Sequence, residues 1–147
     1  MSAVGDSDAV VGYSGTSLTA KLGVTEDSTL ALLDAPVDLR LEVPPGVVVR
    51  HTARGNADVV LAFFTRASKV EPRLDRLGSM IFPSGALWIA WPKKSSGMES
   101  DITDVAVRDI VLRRGLVDNK VCAIDETWSA LRFVWRREHR GPGRRPG

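Results

Sequence analysis

Residues that could bind or react are few in this sequence, and the densest group is Trp91-Pro92-Lys93-Lys94-Ser95-Ser96-Gly97. The ammonium groups of Lys93 and Lys94, the hydroxyls of Ser95 and Ser96, and a glycine that tolerates positive φ suit a phosphate or carboxylate. The simpler alternative is a solvated turn with Trp91 packed beneath it. Asp34 ends the apolar run STLALLD (28–34). An acid at a strand end can contact a ligand hydroxyl, serve as acid or base, or merely cap nearby backbone. Gly12-Tyr13-Ser14-Gly15-Thr16 offers the Tyr13 phenol as a second wall, although the same residues read more simply as a helix cap with an aromatic anchor.

Other reactive side chains fall in poor arrangements. Asp125 and Glu126 are adjacent, so in a strand they would point to opposite faces, and a turn suits them better. His51, His139 and Cys122 lack the spacing of metal ligands. Cys122 lies between Val121 and Ala123 and reads as a small buried hydrophobe, not a nucleophile. There is no G-x-S-x-G, P-loop or H-E-x-x-H. The four tryptophans read as packing residues, with Trp128 beside a turn able to cover a pocket.

The elements that must position these groups fit one domain. The chain has 147 residues, 44% of them hydrophobic and 26% charged, which excludes wholesale disorder. No apolar run is long enough to span a membrane, and the first eight residues carry Asp6 and Asp8 but no cation, unlike a signal peptide. One cysteine permits no internal disulfide and fits a reducing cytoplasm. The net charge of +2 is unevenly spread: six arginines follow position 131, against Glu138 alone. Residues 1–11 and the Arg/Gly/Pro tail 140–147 are expected to be disordered, leaving a single α/β domain over 12–139.

Within that domain a helix is expected over 15–22, capped by Ser14 or Thr16 and ended by Gly23. Buried strands follow at 28–34, 47–51, 58–64 and 86–91. Residues 37–43 (VDLRLEV) alternate like a strand, yet a parallel neighbour would require a crossover helix there, and a short helix is expected. Ser68 and Glu71 form a capping box before a helix that buries Val70, Leu74, Leu77 and Ile81. Thr103 or Asp101 caps a second helix over 104–114, burying Ala106, Val107, Ile110 and Val111. Strands 117–124 and 128–136 flank Asp125-Glu126-Thr127 as a hairpin near a sheet edge. The sum is a Rossmann-like three-layer sandwich, a mainly parallel sheet with a C-terminal antiparallel hairpin. One link stays open: residues 52–57 are too short for a crossover helix, so they run extended along the sheet, or strands 47–51 and 58–64 pair antiparallel.

Four blocks in order, GYSGTSLTAKLGV (12–24), ARGNADVVLAF (53–63), GALWIAWPKKSSG (85–97) and GLVDNKVCAIDETWSALRFVWRRE (115–138), resemble a bacterial family catalogued as domain of unknown function 3052. The resemblance covers nearly all of 12–140 and implies fold-family membership, without a reaction or cofactor. In architecture the chain also resembles Rossmann-type methyltransferases. Those enzymes place a Gly-rich loop after the first strand and an acid at the end of the second. Here the corresponding positions read Leu33-Asp34-Ala35-Pro36 and Arg50-His51-Thr52, so no cofactor is implied.

The functional expectation is a non-catalytic binding or regulatory domain. Its anionic small-molecule ligand would meet Asp34, Lys93, Lys94, Ser95, Ser96 and Tyr13 at the carboxyl ends of the strands. One alternative is a degenerate methyltransferase-type enzyme with Asp34 or Tyr13 as acid or base. Another is an interaction module whose hairpin edge (128–135) meets a protein or whose arginine tail meets a polyanion. Nucleic acid is disfavoured, because a few tail arginines usually only solubilise.

Overall fold

The structure, a computed structural model, describes residues 17–139. Apolar runs form its centre. β1 (Thr29–Leu33), β3 (Val59–Phe63) and β4 (Ala86–Pro92) are buried along almost their whole length, as strands covered on both faces must be. With β2 (Val48–Arg50), β5 (Leu116–Ala123) and β6 (Trp128–Trp135) they build one six-stranded sheet in the order β2-β1-β3-β4-β6-β5. The first four strands are parallel; β6 runs antiparallel to β4 and pairs with β5 as a hairpin. This is the mainly parallel α/β sheet expected from the sequence.

Two apolar layers lie on opposite faces of the sheet. On one, α2 (Glu71–Ile81) and α3 (Asp104–Leu112) bury Leu74, Leu77, Val107 and Val111 against Val60, Leu87, Ile89 and Phe133. The other face is covered thinly. There α1 (Leu18–Leu22) and the connection after β1 pack over Leu30, Leu61 and Trp88. Trp88 is fully buried, and its indole N–H donates to the Leu22 carbonyl at 2.9 Å, pinning α1 to the sheet.

Several local expectations change. Residues 37–43 are neither helix nor strand. Their alternation is genuine, since Leu39 and Leu41 face the sheet while Asp38, Arg40 and Glu42 are exposed, but no neighbouring strand hydrogen-bonds them. The crossover from β1 to β2 is thus an extended strap, tied to α1 where Thr19 Oγ1 donates to the Glu42 carbonyl at 3.0 Å. Strands β2 and β3 do not pair at all, because β1 lies between them. Their short link passes on the α2 side, with Ala53 packed against that core. Finally, Ser68 and Glu71 form no capping box. Residues 67–69 coil into a 3₁₀ turn leading into α2, and Asp101 Oδ1 accepts from the Ala67 amide at 2.8 Å.

The remaining helix signals hold with trimmed ends. Ser17 caps α1, its Oγ accepting from the Ala20 amide at 3.1 Å; Ser14 and Thr16 lie outside the described residues, as do the expected tails. Thr103 caps α3 by accepting from the Ala106 amide at 3.1 Å. Val107 and Val111 are buried as expected, while Ala106 and Ile110 are only partly covered.

Candidate functional site

A parallel sheet opens a crevice where consecutive connections leave toward opposite faces. Here that point lies between β1 and β3. After β1 the chain turns onto the α1 side, where Ala35 and Leu39 pack; after β3 it turns to α2 on the other side. A cleft of about 600 Å³ occupies this position, lined by Asp34, Phe63, Phe64, Arg66, Lys69, Arg73 and Trp128, with smaller neighbours.

Each lining group is placed by its element. Asp34 follows the last residue of β1 with φ +59°, a left-handed conformation that aspartate tolerates better than most residues. Its carboxylate meets Arg73 of α2 at 2.7 Å, and the Arg73 guanidinium lies 6.0 Å from the Phe64 ring centroid. Both partners of this ion pair are substantially exposed, so it orients side chains more than it stabilises the fold. Phe63 and Trp128 meet edge to face, with centroids 5.0 Å apart, and form an apolar floor. Arg66 and Lys69, on the turn between β3 and α2, are exposed, and their side chains have no hydrogen-bond or ion-pair partner among the described residues. The cleft therefore presents three cations against one carboxylate, over an aromatic base.

Of the predicted ligand residues that are described, only Asp34 lines this cleft, together with Trp128, which the sequence placed beside a possible pocket. Lys93, Lys94, Ser95 and Ser96 lie on the turn after β4, at the same end of the sheet. That turn is held toward the hairpin by the Lys93 amide, which donates to the Thr127 carbonyl at 2.7 Å. Ser96 spends its hydroxyl locally, donating to the Lys93 carbonyl at 2.7 Å and accepting from the Met98 amide at 3.1 Å. The turn does not lead directly into a helix: residues 97–103 intervene, and Thr103 caps α3 through the Ala106 amide. Tyr13 lies outside the described residues.

Arg66, Lys69 and Arg73 were missed because exposed cations around a helix start look like an ordinary solvated face in sequence. Their position after a buried strand was the available signal. Cys122 is buried, and desolvation pushes its thiol up, which Lys21 only partly offsets, so its thiolate is suppressed. Among the described residues no group of three or more His, Cys, Asp or Glu side chains is arranged to hold a metal ion.

No family model matches the chain, and no curated protein matches it in sequence. Solved structures do share its fold. One is the magnesium protoporphyrin IX methyltransferase ChlM from Synechocystis PCC 6803 with bound SAH, at TM-score 0.52 and 11% identity, covering 81% of this chain and 78% of that one. Another is LepI in complex with SAM, at TM-score 0.50 and 12% identity, where 81% of this chain spans 39% of the larger protein. At these identities the likeness is one of fold, and it defines the class: a Rossmann-like α/β protein, whose sheet here ends in an antiparallel hairpin. No helix among the described residues is long and apolar enough to cross a membrane.

Proposed function

We propose that this protein binds an anionic small molecule in the cleft at the carboxyl ends of β1 and β3, acting as a binding or regulatory domain without catalysis of its own. The observation that carries the reading is the unpartnered pair Arg66 and Lys69 beside Arg73, over the aromatic floor of Phe63 and Trp128. Cations at the rim meet an anionic group while the apolar floor receives the rest of the ligand, as ligand pockets commonly divide the task. Asp34, paired with Arg73, sets the orientation of that guanidinium. Lys93, Lys94, Ser95 and Ser96 flank the site from the next strand end.

The likeness to ChlM and LepI, whose structures hold SAM or SAH, favours a second reading in which this cleft takes S-adenosylmethionine. The residues fit that cofactor poorly. Close backbone approach after β1 is hindered by Asp34-Ala35-Pro36, whose proline offers no N–H. At the end of β2 stands Arg50, which donates to the Arg54 carbonyl at 2.7 Å, in place of an acid for ribose hydroxyls.

Calorimetric titration of the full chain with adenosine monophosphate and, separately, S-adenosylhomocysteine separates the two. Binding of the monophosphate that weakens about tenfold or more in Arg66→Ala/Lys69→Ala supports the anion site. A parallel Lys93→Ala/Lys94→Ala variant reports whether the neighbouring turn contributes. Tight binding of S-adenosylhomocysteine, undisturbed by either pair, would replace this reading with the second. Heat from neither compound counts against both.

A further inference from the structure

At the opposite end of the sheet, the amino ends of the parallel strands, lies a second cavity of about 680 Å³. Its walls come from one side of α2, the end of α3, the start of β5, and the end of β6 with the residues after it. Leu74, Leu116 and Trp135 give it an apolar side; Arg113, Arg114, Arg136 and His139 give it a basic one, with Asp75 as the lone acid.

Most of these charges are already committed. Arg114 bridges Asp75 at 2.5 Å and Glu71 at 3.2 Å, while Arg113 holds Asp109 at 3.2 Å. Arg136 is different. Its Nε is fully buried without a hydrogen-bond partner, the one such buried side-chain nitrogen or oxygen among the described residues. No described residue forms an ion pair with its guanidinium. Its backbone is rigid: the Arg136 amide donates to the Gly115 carbonyl at 3.1 Å, and its carbonyl accepts from the His139 amide at 2.9 Å. A buried donor on a charged group left unpaired carries a desolvation cost, so natural structures rarely keep one without a purpose.

From this we infer a second ligand site, for a small oxyanion of the phosphate class, in which the Arg136 guanidinium is the principal donor and the His139 imidazole a second. Gly115, at φ +93°, leaves room for the ring: a Cβ there would stand 3.1 Å from His139 and 3.2 Å from Trp135. The ring contact between Trp135 and His139, centroids 6.0 Å apart, holds the imidazole over the apolar wall. A phosphate ester with an apolar substituent matches such a cavity better than the bare ion does. This site is independent of the cleft between β1 and β3.

The test is nitrogen-15 chemical-shift titration of the full chain with inorganic phosphate and with phenyl phosphate. The expected result is saturable shifts at the Gly115 and Arg136 amides and the Trp135 indole, weakened about tenfold or more in Arg136→Met and unchanged in Arg73→Met. Tighter binding of phenyl phosphate identifies an ester ligand; equal affinities identify the anion alone. Arg136→Met removes a half-buried cation that has no ion-pair partner among the described residues and is expected to stay folded, which its own spectrum verifies. Shifts that never saturate, or that survive Arg136→Met in a folded protein, overturn the inference.

Discussion

Single residues show how tertiary contact reverses a local preference. Gly78 sits inside α2, where an exposed glycine would gain up to about 1 kcal/mol on replacement by alanine. A Cβ at this position, however, would stand 2.9 Å from Cζ2 of Trp135. The ring is held in place, because it is buried and its Nε1–H donates to the Gly78 carbonyl at 2.9 Å. Overpacking of this kind costs about 1–3 kcal/mol, so the steric effect wins. Gly78→Ala is expected to lower stability by about 1 kcal/mol or more in urea denaturation, where an unchanged or raised midpoint would refute the contact. Nothing in the residues around Gly78 announces this constraint, since its partner is 57 positions away.

At the scale of elements, side-chain caps begin α1 and α3, while α2 lacks one and is tied to its neighbours by charges. Thr103 begins α3, and Thr103→Ala is expected to cost about 1 kcal/mol, readable as a shift of the urea midpoint with an unchanged slope. This cap was legible as a threonine before an amphipathic run. The false capping box at Ser68 and Glu71 was equally well formed in sequence. It failed because residues 67–69 already coil into a 3₁₀ turn, with the Val70 amide donating to the Ala67 carbonyl at 3.1 Å, and Glu71 instead turns toward Arg114. Arg114 ties the end of α3 to α2, its guanidinium raised in pKa by hydrogen bonds to Glu71 and Asp75. Arg108 joins α3 to β5 through Asp118 at 2.9 Å. The hairpin's outer edge is β5, with β6 bonded on both sides, so an edge-on partner would meet residues 116–123 and not 128–135. A register shift between Asp118 and Lys120 interrupts that edge, a common device against unwanted strand pairing.

Across the whole molecule, stability should be graded along the sheet. β3 and β4 are flanked by strands on both sides and buried on both faces, whereas β2 has three residues, one neighbour and an exposed Val48. Hydrogen exchange is expected to be slowest in β1, β3 and β4 and markedly faster in β2. Equal protection of β2 and β3 would mean that the strap and α1 form a firmer layer than their small contact suggests. The candidate ligand cleft lies between these regimes, where β1 and β3 end together. Its walls thus come from the firm centre of the sheet while its cations sit on the exposed turn before α2.

What the sequence determined alone was whatever repeats over a few residues. Runs such as VVLAF and ALWIAW are apolar on every residue and of strand length, the pattern of strands covered on both faces; Leu74, Leu77 and Ile81 recur at helical spacing. Those patterns were enough for the α/β class, the hairpin and the acid at the end of β1. The tertiary structure alone decided that β1 separates β2 from β3, that residues 37–43 form a strap, and that Arg66, Lys69 and Arg73 surround Asp34. Each of these depends on which distant backbone or side chain supplies a partner. Local periodicity records whether a residue is buried, but the identity of its neighbour is set only when the strands find their order.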